Sequence, residues 1–185
     1  MKADLGIRES MLAAVPGLRA FAMSLCGKMD QADDLVQETL LRALNNIDSF
    51  EPGTNMSAWL FTILRNLFRS QYRKRRREVE DADGRLAESL RSPPEQHSHL
   101  EFEEFRVALA QLPADQREAL ILVGASGFSY EEAAHICGSA VGTIKSRVNR
   151  ARKRLAELLA IEGHGDLGLD SATQAVLGGY ESDRN

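Results

Sequence analysis

Two short stretches of the chain concentrate cationic side chains, which bind anions. Positions 65–77 hold seven Lys or Arg residues and no Asp or Glu, and positions 142–154 hold six, again without an acidic residue. The formal net charge of -4 hides these clusters, because nine acidic residues between Glu78 and Glu104 are set against only two arginines. Blocks of opposite sign predict two anion-facing surfaces joined by an acidic connector, and clusters of this kind are typical of proteins that bind nucleic acid.

The second cationic stretch follows the pattern of a helix-turn-helix. Ser129 and Glu132 form an S-x-x-E capping box that opens a short helix ending near Gly138, and a tight turn leads into a last helix from about Val141. In this motif the second helix enters the major groove, where Lys and Arg suit guanine, Asn suits adenine and Ser is adaptable. We expect base contacts from Lys145, Ser146, Asn149 and Arg150, and phosphate contacts from Thr143, Arg147, Arg152 and Lys153. A merely solvated cationic face is the simpler alternative, but it does not explain the cap, the turn and the apolar stripe together.

The first cationic stretch interleaves aromatic rings with arginines. Trp59, Phe61, Phe68 and Tyr72 share it with Arg65, Arg69 and Arg73. Unpaired nucleic acid suits such a surface, because each exposed base that stacks on a ring contributes about 1–3 kcal/mol while the cations follow the backbone. The alternative is that these positions fill the core, since a domain this small must bury most of its large apolar residues. That apolar group is Trp59, Leu60, Ile63, Leu64 and Leu67.

Helical periodicity dominates the elements that must position these residues, so the predicted fold class is all-α. One apolar stripe is formed by Leu12, Val15, Leu18, Ala22 and Leu25, and a second by Val36, Leu40, Ala43, Leu44 and Ile47. Ser57 is predicted to cap the third helix after a loop at 50–55. We predict two small helical domains at 8–78 and 101–161, joined by a flexible acidic linker at 79–100 and followed by a Gly-rich tail at 162–185.

The rest of the sequence argues against several other classes of protein. No catalytic triad, phosphate-binding loop or metal cluster can be assembled from the local motifs, so we expect no enzyme activity, no cofactor, no metal and no small-molecule substrate. Cys26 and Cys137 lie far apart without ligand spacing, which is typical of a reducing compartment. No segment approaches the roughly 18 apolar residues of a membrane span. We therefore expect a cytoplasmic protein that is found at the nucleoid when it is bound to a DNA-associated partner protein.

Several motifs resemble those of the extracytoplasmic-function sigma factors, which keep only sigma domains two and four. Positions 33–43 read DDLVQETLLRA and resemble the family's DLVQETFLRA stretch. In the second half, Leu112-Pro113, the FSYEEAA of 128–134 and the GTIKSR of 142–147 resemble the fourth-domain signatures. The resemblance covers about residues 10 to 160. It implies that domain two is a helical bundle and domain four a helix-turn-helix.

The resemblance also implies a role for each surface. The acidic second helix would bind the clamp helices of the polymerase β′ subunit through Asp33, Asp34, Gln37, Glu38, Leu41 and Arg42. The loop at 50–57 and the helix after it would capture a flipped base of the melted minus-10 element, with Asn55 as the best candidate for the pocket. The predicted minus-10 residues are Asn55, Trp59, Arg65, Arg69, Tyr72, Arg73 and Lys74. Domain four would read minus-35 beside the β flap.

Two further stretches, 52–66 and 75–81, are similar to the EcfG subgroup. That subgroup drives the general stress response of alphaproteobacteria and is held by an anti-sigma factor of NepR type, which a PhyR-type response regulator removes. The resemblance implies a GGAAC-like minus-35 and a CGTT-like minus-10. The alternative from another class is a helix-turn-helix regulator that acts without replacing sigma. It leaves the acidic face at 33–38 unexplained, although helix capping alone would account for Asp33 and Asp34.

Overall fold

The computed structural model describes residues 2–80 and 99–159, and its regular elements there are helical. The first part contains α1 (Lys2–Cys26), α2 (Met29–Asn45), a 3-10 turn (Ile47–Ser49) and α3 (Met56–Glu80). The second contains α4 (His99–Ala110), α5 (Ala114–Gly124), α6 (Tyr130–Cys137) and α7 (Val141–Leu158). The all-α prediction is confirmed. The chain divides into two compact units between residues 90 and 91, whereas most of the predicted linker and the whole of the predicted tail lie outside the described residues.

Helices α1, α2 and α3 pack on one another around a shared apolar core. Leu18, Phe21, Leu35, Leu60 and Leu64 are its largest fully buried apolar side chains. The rings of Phe21 and Phe61 stack with their centroids 5.1 Å apart. Thr39 is also buried, and its hydroxyl donates to the Leu35 carbonyl at 2.7 Å, so this buried hydroxyl has a partner. The tight three-helix packing fixes the direction of α3.

Two residues of the predicted apolar stripes face solvent instead. Leu12 is 70% exposed, because the buried face of α1 begins at Met11 and continues through Ala14 and Leu18. Leu44 is 51% exposed, because Ala43 faces the core and the next residue of a helix is turned away by about 100°. The predicted stripes were therefore too wide, and both leucines are surface residues.

The second unit holds the helix-turn-helix. Ser129 caps α6 in the predicted capping box, and Gly138 ends the helix in the left-handed region at φ 57°. Ala108 and Leu112 pack against Ala151 and Leu155 of α7. Arg117 joins α5 to the end of α4, because its Nη1 donates to the Ala110 carbonyl at 3.1 Å. Its burial lowers the pKa of Arg117 from the ordinary value.

No helix within 2–80 or 99–159 combines the length and the apolar character that crossing a bilayer would require. The same residues contain no group of three or more His, Cys, Asp or Glu side chains that could hold a metal ion. Cys26 is half-buried and Cys137 is buried, and neither forms a disulfide bond.

Candidate nucleic-acid interface

Helix α7 separates an apolar face from a cationic one. Ile144, Val148 and Ala151 are fully buried, and they lie on one side of the helix because they recur at intervals of three and four residues. The opposite side is open to solvent. Of the predicted DNA contacts, the exposed ones are Thr143, Lys145, Asn149, Arg150 and Lys153, and the half-buried ones are Ser146, Arg147 and Arg152.

The side chains at the two edges of this exposed face are held by neighbouring helices. The Lys145 ammonium lies 5.7 Å from the centroid of the Tyr130 ring on α6. On the other edge, the Arg147 Nε pairs with Asp115 Oδ2 of α5 at 3.0 Å. The sequence predicted a phosphate contact for Arg147, but in the structure this guanidinium joins α7 to α5. The Asp115 carboxylate holds Arg147 in this structure, and the phosphate contact of Arg147 stays a prediction.

The predicted minus-10 residues on α3 fall into two groups. Arg69, Tyr72, Arg73 and Lys74 are exposed, and the Phe68 and Tyr72 rings lie 6.2 Å apart. Arg65 is only 4% exposed, because it lies about one helical turn after the buried Phe61, on the same side of the helix. The prediction that Arg65 contacts DNA is not supported by this geometry. The exposed set forms one continuous cationic and aromatic surface at 69–74.

The loop before α3 is closed by aromatic packing and local hydrogen bonds. Trp59 is half-buried, with its ring 5.3 Å from that of the buried Phe50. Asn55, not Ser57, caps the helix: its Oδ1 accepts from the Ala58 N–H at 3.2 Å, and its carbonyl accepts from the Trp59 N–H at 3.1 Å. Asn and Ser are equally good caps, so residue type alone could not choose between them. Asn55 therefore has a structural role as the N-cap of α3, in addition to the predicted base contact.

The acidic face of α2 is partly open and partly paired. Asp34, Gln37 and Leu41 are exposed at helical spacing, and Leu44 extends this stripe toward the end of α2. Asp33 instead pairs with Arg19 of α1 at 2.8 Å, and Glu38 with Arg42 at 2.8 Å. The predicted polymerase-binding set is thus divided: Asp33 is paired with α1, Glu38 is paired with Arg42 on the same helix, and the other three residues stay open to solvent.

The fold and these surfaces define a two-domain DNA-binding protein with a helix-turn-helix. Residues 12–78 match the family "Sigma-70 region 2", and residues 102–155 match "Sigma-70, region 4". The chain is 72% identical to the ECF RNA polymerase sigma factor EcfG of Rhodopseudomonas palustris, over 94% of this chain and 96% of that protein.

Two solved structures are similar. The sigma factor RpoE of Bartonella quintana, solved in complex with the anti-sigma factor NepR, has a TM-score of 0.77 and 59% identity, covering 84% of this chain and 98% of that one. CnrH, solved with the cytosolic domain of CnrY, has a TM-score of 0.65 and 26% identity, covering 86% and 91% of the two chains.

The chain belongs to the extracytoplasmic-function sigma factors of the sigma-70 family. The family prediction from the sequence is confirmed, as is the prediction of a sigma factor as the function. This is not a family of catalytic enzymes.

Proposed function

We propose that this sigma factor brings core RNA polymerase to promoters with a GGAAC-like minus-35 and a CGTT-like minus-10, and that these promoters serve a general stress response. The observation that carries the proposal is the outward cationic face of α7 on a fully buried apolar stripe, in a chain 72% identical to EcfG. The protein would work in the cytoplasm, at the nucleoid when bound to polymerase, and without catalysis of its own.

Each domain has its own task in this proposal. Domain four, at 101–161, reads minus-35 with Lys145, Ser146, Asn149 and Arg150, whose groups suit the edges of guanine and adenine. Domain two, at 8–78, holds the melted minus-10 strand on the surface at 69–74, where Tyr72 offers a ring to a base and the cations follow the phosphates. In this proposal the linker at 79–100 allows domain two to reach minus-10 while domain four reaches minus-35.

The α2 face is the proposed binding surface for the β′ clamp helices. Its support is the stripe of Asp34, Gln37, Leu41 and Leu44, which offers both a negative charge and two exposed leucines. A partner helix with cationic and apolar positions would bury those leucines and pair with Asp34. An Asp34→Lys variant should lose polymerase binding, whereas Glu9→Lys, an equal charge change at an exposed position of α1, should keep it.

The same surfaces are proposed to bind an anti-sigma factor of NepR type when the sigma factor is inactive. The support is the 59% identity to a sigma factor that was solved with NepR. One surface that serves two competing partners makes inhibition reversible, because whatever removes the inhibitor frees the polymerase-binding face. A PhyR-type response regulator is the proposed competitor for the inhibitor.

Run-off transcription with sigma-free core polymerase tests the proposed function. One template carries both proposed promoter elements, a second has both scrambled, and core alone is the control. Initiation that needs the protein and the intact elements is the expected result. Activity from a different promoter would overturn only the proposed elements. No stimulation on any promoter by folded protein would favour a regulator that does not replace sigma.

A further inference from the structure

Tyr130 occupies a rigid position beside the DNA-facing helix. It is the first residue of α6 and lies inside the capping box, between Ser129 and Glu132. In that box the Glu132 N–H donates to the Ser129 hydroxyl at 3.0 Å, and the Ser129 N–H donates to the Glu132 carboxylate at 2.9 Å. Tyr130 is half-buried, and the two hydrogen bonds of the capping box hold its backbone. The ring is therefore anchored on α6 and lies beside Lys145 of α7.

Lys145 is the side chain that rests against this surface. Its ammonium lies 5.7 Å from the Tyr130 ring centroid, within the distance of about 6 Å at which a ring face attracts a cation. Lys145 is otherwise exposed, on a flexible stem of four carbons that samples many rotamers in solvent. The ring selects among those rotamers. Asn149, one turn further along α7, has no such support among the ring contacts of the described residues.

We propose that Tyr130 is a positioning residue for minus-35 recognition: its ring presets the Lys145 ammonium at the edge of α7, so that the cation reaches a guanine without first being ordered. The inference rests on the proposed reading of minus-35 by α7. A preset side chain loses less conformational freedom on binding, and affinity rises by the cost that is avoided. Tyr130 contributes through Lys145 and makes no base contact of its own in this proposal.

A double-substitution cycle on the full chain bound to core polymerase measures the effect. The variants are Tyr130→Leu, which removes the ring face, Tyr130→Phe, which keeps it, and Lys145→Ala, alone and combined with Tyr130→Leu. The measured quantity is the affinity for a fluorescent promoter duplex with the proposed elements. Tyr130→Leu should weaken binding by about two- to fivefold, the range expected for an exposed cation and ring, and should reduce the preference for guanine at one minus-35 position.

The controls distinguish a role of Tyr130 in positioning Lys145 from a purely structural role of Tyr130. Tyr130→Phe should bind like the parent protein, and Tyr130→Leu should cause no further loss once Lys145 is Ala. An equal loss in the presence and absence of Lys145, or an equal loss for Phe and Leu, would overturn the inference. Thermal unfolding of each variant identifies any loss due to misfolding, and if Tyr130→Leu misfolds, Tyr130→Met, which also lacks a ring face, takes its place in the cycle. If Lys145→Ala itself left minus-35 binding unchanged while transcription remained promoter-dependent, the inference would fail but the sigma assignment would stand.

Discussion

Helices α3 and α7 carry similar side chains but divide them differently between core and surface. On α7 the apolar stripe of Ile144, Val148 and Ala151 is fully buried, and the predicted base-reading cations lie outside it. On α3 the two roles overlap, since Arg65 is buried and Trp59 packs against Phe50. This difference fits the proposed roles. A helix proposed to read paired DNA keeps its reading face apart from its core, whereas a helix proposed to receive unpaired bases shares residues between its core and its surface.

The difference predicts how each helix responds to substitution. Changes on the outer face of α7 should affect DNA binding and leave stability almost unchanged, because exposed side chains away from special features usually contribute less than about 0.5 kcal/mol. Changes on the N-terminal half of α3 should affect both together. Trp59 makes this measurable, since it is the one tryptophan of the chain and its fluorescence reports on unfolding of the first unit.

The largest expected effect is from the shared core of α1 and α3. Phe61→Ala removes a ring that is 2% exposed and stacked on Phe21, so the free energy of unfolding of the first unit should fall by about 3–5 kcal/mol. Urea denaturation followed by Trp59 fluorescence measures the loss. The matched control is Phe68→Ala on the same helix, where the ring is only half-buried and the loss should be smaller. If Phe61→Ala and Phe68→Ala lowered the free energy of unfolding equally, the core of the first unit would extend along α3 as far as Phe68.

The second effect separates two arginines of α3 that look alike in the sequence. Arg65→Ala should lower the free energy of unfolding by about 1–3 kcal/mol, because removing a buried polar group leaves its partners unsatisfied. Arg73→Ala, at an exposed position, should leave stability unchanged and weaken binding to a forked minus-10 template. The same denaturation assay and a forked-DNA binding assay provide the readouts. A stable Arg65→Ala protein that fails to open promoters would restore Arg65 to the DNA-facing set.

A third effect concerns the two roles of Asn55. Asn55→Ala should cost about 0.5–2 kcal/mol because it removes a helix cap, and Asn55→Ser should restore that stability because Ser caps equally well. If the amide also binds the flipped base, Asn55→Ser should still lower promoter opening. Permanganate reactivity of thymines in the minus-10 element measures opening. Full opening by Asn55→Ser would mean that Asn55 is a cap and nothing more.

Much of the fold could be predicted because helical periodicity and caps are local signals. The capping box of Ser129 and Glu132, the end of α6 at Gly138 and the buried stripe of α7 all follow from spacing alone. The exposure of Leu12 and Leu44 could not be predicted from the sequence, because the width of a buried face depends on which helices pack against it. The same limit explains the missed contacts. Nothing local connects Asp115 with Arg147 or Tyr130 with Lys145, since the turns between the helices bring them together.

The smallest effect tests the same division of roles within α7. Arg147 and Lys153 are both cations that the sequence predicted at phosphates, but Arg147 pairs with Asp115 at 3.0 Å while Lys153 is exposed. Asp115→Asn should cost only about 0.2–1 kcal/mol, because the pair is partly solvated, and the cost should shrink as salt is added. Far-UV circular dichroism during thermal unfolding at two salt concentrations measures it.

In promoter binding, Lys153→Gln should reduce the salt dependence by about one released counterion, as expected for a phosphate contact. Arg147→Gln should leave that salt dependence unchanged if its guanidinium serves α5, and an equal reduction for both variants would show that Arg147 leaves Asp115 for the phosphate when DNA binds.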